Sequence, residues 1–217
     1  MSTPTSGQSA SRTSSWVGIA LGIVLLGLVA AFAIGLPKAV GDTADAEPAP
    51  VTLPDELPGG YPAADDPAAF KDSDYADQAE DIAKQQKAAT DYGNDVLPDA
   101  LGHPAATRTY VADGTTPVFV QVFRADGGAF APETMVDPTT SQGQGGTTME
   151  AVGDGACILT YGQSQTDGTD VGDPSTIQCQ ISRDGLTVQI EASGMKADDI
   201  VDTGDALLDE LVKQDQE

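Results

Sequence analysis

Cys157 and Cys179 are the only cysteines in the chain, and His103 is its only histidine. The cysteines stand too far apart for the C-x-x-C spacing of disulfide oxidoreductases. A structural zinc site takes four ligands, and one histidine added to two thiols makes three. An exported chain oxidises such a pair, so the expectation is a disulfide between Cys157 and Cys179. By loop entropy it would stabilise the fold by about 3 kcal/mol. It would also clamp the base of an Asp-rich loop between Gln163 and Ser175.

Other residue types that do chemistry are weakly arranged. His103 lies in Leu101-Gly-His-Pro104, which reads as a solvated turn, and no nucleophile elbow accompanies it. Asp167, Asp170 and Asp173 cluster, but Thr169 and Val171 fall where a calcium loop would alternate acids. Paired carboxylates for glycoside hydrolysis would need aromatic platforms for a sugar, and the chain is poor in aromatics. Neither G-x-G-x-x-G nor a P-loop is present. No catalytic, cofactor-binding or metal-ligating residue is assigned, and the expectation is a non-enzymatic protein without a cofactor.

Charge narrows the partners. Acids outnumber bases 34 to 10, for a net charge of −24. Such a field repels nucleic acid and favours a basic or membrane-protein partner, besides keeping the domain soluble.

The segment from Trp16 to Leu36 contains no charged residue. At 1.5 Å per residue it covers about 30 Å, the thickness of a hydrocarbon core. The sequence predicts a single transmembrane helix over 16–36, a cytoplasmic tail over 1–15 and an extracytoplasmic remainder. Arg12 on the near side, and Lys38 followed by Asp42, Asp45 and Glu47 on the far side, set this orientation. A cleaved signal peptide would have a shorter apolar region, although Ala31 to Ala33 imitates a cleavage site. Gly18 and Gly22 form a G-x-x-x-G that would allow a homodimer within the bilayer.

Residues 37–70 hold half of the 14 prolines and read as an extended Pro/Ala/Asp-rich stalk. Leu53 to Tyr61 is more apolar than a linker requires, which suits an ordered segment lying along the domain. Residues 71–217 form an acidic α+β domain: an antiparallel sheet of about five strands with helices packed on one face. A first helix is expected from Ser73 to Tyr92, stopped by Gly93-Asn94. Strands are expected at Thr107–Ala112, Val118–Arg124, Ala156–Tyr161, Thr176–Arg183 and Leu186–Ala192, and Thr139–Thr148 reads as a loop. Val118 to Phe123, apolar on both faces, reads as a central strand. Asp184-Gly185 predicts a tight hairpin that sets Cys179 opposite Ile190 and Ile181 opposite Val188. An amphipathic helix from Asp198 to Lys213 closes the chain.

A short tail, one anchor, a Pro-rich stalk opening into Leu53-Pro-Asp-Glu-Leu-Pro-Gly-Gly60 and an Ala/Gly/Asp-rich domain with one cysteine pair resemble the uncharacterised single-pass membrane-anchored proteins of actinobacteria. The resemblance is architectural and implies a cell-envelope location without an activity. The function expected is a binding or accessory module of the envelope. A carrier or sensor of a small apolar ligand would instead require a cavity lined by Val118, Val122, Ile181, Val188, Leu207 and Leu211. An envelope hydrolase would require two acids of raised pKa facing each other.

Overall fold

Alternating aliphatic and polar residues in the C-terminal half dictate an antiparallel sheet with one apolar face. The computed structural model of the protein describes residues 49–141, 145–163 and 172–214. The tail, the apolar segment 16–36 with Gly18 and Gly22, and the first part of the stalk lie outside the described residues. Among the described residues, no helix is long and apolar enough to cross a membrane.

Six strands form the sheet: β3 (Ala105–Ala112), β4 (Thr116–Phe123), β5 (Gly146–Val152), β6 (Gly155–Tyr161), β7 (Thr176–Arg183) and β8 (Leu186–Ala192). A separate two-stranded ribbon, β1 (Glu56–Leu57) with β2 (Tyr61–Pro62), precedes them. The order is β3-β4-β8-β7-β6-β5, every pair antiparallel. The chain leaves the β3–β4 hairpin, crosses to the far edge and meanders back until β8 pairs with β4. The sheet thus has six strands where the sequence predicts about five. The missed strand is β5, whose start lies in the stretch read as a loop. An edge strand half exposed on both sides carries no apolar alternation to betray it (Gly-Thr-Thr-Met-Glu-Ala-Val).

The expected β7–β8 register holds, with Cys179 opposite Ile190 and Ile181 opposite Val188. Asp184 and Gly185 make the turn with positive φ (52° and 76°), the form a two-residue hairpin requires. β4 lies inside the sheet, but only one of its faces is buried. Val118, Val120 and Val122 are sealed in the core, whereas Phe119 remains 47% exposed.

The helices are α1 (Ala79–Leu101) and α2 (Ala197–Gln214). They pack on opposite-facing side chains, not on one face as expected. α2 lays Ile200, Val201, Leu207, Leu208 and Leu211 on the face carrying Val120, Ile181 and Ile190. Its Gly204 sits so close to the sheet that a Cβ there would stand 2.5 Å from Ile181 Cδ1. Full burial of each such aliphatic side chain stabilises by about 1.5–3 kcal/mol. α1 instead meets the alternate residues of β3, packing Ala79 with Val111 and Phe70 and placing Gly93 against Thr107. Alternation within β3 (Tyr110 one way, Val111 the other) is what divides the helices.

α1 begins later than predicted and runs through both Gly93 and Pro98. Gly93 serves close approach to Thr107, and the Asn94 Oδ1 accepts the Thr107 N–H at 2.7 Å, so tertiary contacts hold the helix together. Pro98 falls in the last turn, and Gly102 ends the helix in the left-handed conformation (φ 68°).

Residues 49–70, read from sequence as the outer half of the stalk, fold onto the domain. Leu53, Leu57 and Ala63 join the main core with Tyr110. Gly59 and Gly60, both at positive φ, turn the β1–β2 ribbon. Asp66 caps the 3-10 turn Pro67–Phe70 by accepting the Ala68 N–H.

Candidate functional site

Cys157 and Cys179 are register partners on β6 and β7, joined by a disulfide with Cα atoms 4.1 Å apart. Both face the core and are fully buried. Three further pairs, Ile158–Gln178, Leu159–Ile177 and Thr160–Thr176, separate the bridge from the Asp-rich loop. The Ser175 N–H and hydroxyl both donate to Thr160 O and close the loop's base. Asp167 and Asp170 lie outside the described residues, and Asp173 is exposed. His103 is exposed just past the end of α1. Among the described residues, no group of three or more His, Cys, Asp or Glu is placed to hold a metal ion.

The six residues that a ligand carrier would need around a cavity all belong to one packed core. Asp205 holds its proton above the ordinary carboxyl range because burial disfavours its charge; Asp154, Asp209 and Asp202 add to this, and Arg183 opposes it. Its hydrogen-bond partner is that arginine: Arg183 ties β7 to α2 through Asp205 and Asp209.

Arg108 makes the densest polar constellation. Its guanidinium takes Asp65 with two hydrogen bonds (3.0 and 2.7 Å) and donates to Pro54 O and Asp55 at 2.8 and 2.9 Å. The Tyr110 hydroxyl donates to the same Pro54 O at 2.8 Å. Arg124 adds a bond to Ala49 O. These groups clasp residues 49–65 to the sheet; their partners are internal, so the clasp is architecture. Sequence reasoning missed it, because nothing local marks Arg108 as the partner of acids some forty and fifty positions away.

The face opposite α2 carries α1 over β3, and from β4 to β5 it is the surface left for binding. Cross-strand partners place Thr109, Phe119, Glu191, Gln178, Ile158 and Met149 in one row running from β3 to β5. A parallel row joins Gln121, Gln189 and Gln180, in which Gln189 Nε2 donates to Gln180 Oε1 at 2.9 Å. The connection from β4 to β5 crosses one end of this face: Gly128 O accepts from Gln180, and Ala125 O from the Thr187 hydroxyl. Phe119, second in the first row, is left half exposed. An aromatic ring standing on a sheet beside amides and a carboxylate offers an apolar anchor within a polar rim.

The row ends at the edge strand β5. Thr147 exchanges both backbone hydrogen bonds with Val136, on the side away from β6. In an antiparallel ladder alternate residues point the same way, so the N–H and C=O of Met149 and Ala151 also point outward. Among the described residues neither has a partner on that side. Met135 and Val136 beside it are exposed apolar residues. The β3 edge, by contrast, is covered by Ala63, Ala64 and Asn94.

No known protein family, curated protein or solved structure matches this chain.

Proposed function

We propose that the protein is a membrane-tethered, extracytoplasmic binding module of the cell envelope, without an enzymatic role, and that its working surface is the open sheet face ending at β5. The apolar, uncharged run 16–36 supports the tether, and a buried disulfide is the chemistry of an oxidising compartment. The observation that carries the binding role is the half-exposed Phe119 in a cross-strand row with Ile158 and Met149, an apolar line flanked by glutamines and Glu191 on the sheet face.

A photo-crosslinking residue at position 119, in the full chain within native envelopes, tests this. One discrete adduct is expected from position 119 and none from a control at Asp113, in the β3–β4 turn. Equal labelling from both positions, or none from 119, sinks the reading. Carbonate extraction of the same envelopes tests the tether, because a chain released without detergent is not anchored by 16–36.

A further inference from the structure

We infer that the outer edge of β5 accepts an extended segment of a partner protein in which basic and apolar residues alternate, added antiparallel as a seventh strand. This deepens the binding role proposed above and rests on it. Three observations carry it.

The first is the unfinished ladder. Outward N–H and C=O groups at Met149 and Ala151 continue the line begun by the Thr147–Val136 pair, so the edge already takes one antiparallel residue and then stops. An edge that offers main-chain donors and acceptors in register is the template for strand addition. The β3 edge shows that this fold covers an edge with its own chain where none is to be offered.

The second is the side-chain pattern. Met149, Glu150 and Ala151 alternate apolar, acidic, apolar. A strand lying opposite must therefore alternate apolar, basic, apolar to avoid unlike neighbours, since directly opposed side chains interact in pairs.

The third is charge. From Ala125 to Ser182 the chain has no lysine, arginine or histidine, while Glu133, Asp137, Glu150 and Asp154 surround the edge in sequence. Arg108, Arg183 and Lys87 are all engaged by acids of their own domain. The field at this edge is anionic. It opposes a second copy of the chain, because symmetric pairing would set Glu150 against Glu150, and it draws in a basic strand.

The test uses the full chain in detergent micelles and two capped seven-residue peptides, one alternating Lys and Val and one alternating Glu and Val. The Lys/Val peptide should bind, the Glu/Val peptide should not, and bound peptide should slow amide exchange at Met149 and Ala151 about tenfold or more. Ala151→Pro removes one outward donor and should weaken binding about tenfold. Glu150→Lys should reverse the preference between the peptides. Binding that leaves both amides exchanging at the free rate overturns strand addition, whether or not Ala151→Pro folds. Equal binding of both peptides overturns the charge argument. The crosslinker at position 119 separates this inference from the reading beneath it: a discrete adduct there beside an edge whose amides stay at the free exchange rate refutes only the seventh strand, and no adduct there refutes the proposed function.

Discussion

Cys157 and Cys179 stand directly opposite each other across β6 and β7, at a pair whose backbone bonds point away from one another. That close, non-hydrogen-bonded position is where two antiparallel strands bring their side chains nearest. The bridge also closes a chain loop with a sequence separation of 22. Replacing both cysteines by alanine should therefore lower unfolding free energy by about 3 kcal/mol, read from urea midpoints. Because both sulfurs are buried, dithiothreitol should reduce the native protein slowly and the urea-unfolded protein rapidly. Equal rates would contradict the burial.

Arg108→Ala should be the most damaging exchange of a charged residue in the domain. It leaves Asp65, whose side chain is only 13% exposed, without its bidentate partner. Breaking one side of such a pair costs about 3 kcal/mol, and the released segment should become a protease site between residues 49 and 66. Unchanged cleavage there would show that the apolar contacts of Leu53 and Leu57 hold the segment alone.

Tyr110 gives a pH signature. Burial pushes its phenol well above the ordinary value of 10.0, so the folded state keeps it protonated where the unfolded chain does not. Its contribution is fully present below about pH 10 and is lost as pH rises toward the folded value. Stability should thus fall above pH 10, and Tyr110→Phe should flatten that fall while costing about 1 kcal/mol at pH 7 for the lost bond to Pro54. Denaturant titrations at pH 7, 9, 10 and 11 give the comparison.

Gly146→Ala should loosen the far edge. A Cβ there would stand 2.6 Å from Val136 O and 2.8 Å from Pro138 Cα, backbone atoms that cannot rotate aside. The Val136–Thr147 pair should open, at a cost of about 1–3 kcal/mol, and both amides should exchange faster. Protection equal to the native chain would mean that the 136–138 backbone moves without penalty.

Legibility in the sequence followed the strength of the local signal. β7, β8 and their turn were readable to the residue because strict alternation and Asp184-Gly185 agree. α2 was readable from its apolar stripe to within one residue at each end. β5 was not, since an edge strand needs little apolar content. α1 was misjudged at both ends: Gly93 looked like a stop, and only the contact with Thr107 explains why the helix continues. The fold of residues 49–70 was half legible. Leu53 and Leu57 signalled packing, but the prolines around them suggested a free stalk. The disulfide was foreseen from composition and compartment. The open face was not, because which side of a strand meets a helix is decided by partners distant in sequence.

The clasp at Arg108 and Tyr110 has a mechanical consequence. Force arriving from the N-terminal side of the domain must pass through residues 49–65 before it loads the six-stranded sheet, so Asp65, Pro54 and their two partners bear it early. Peeling that segment would spend the first extension on those polar bonds and on the buried Leu53 and Leu57, and leave the sheet standing behind it. A tugged molecule should therefore yield in two steps, a small early one at the clasp and a larger one when the strands part.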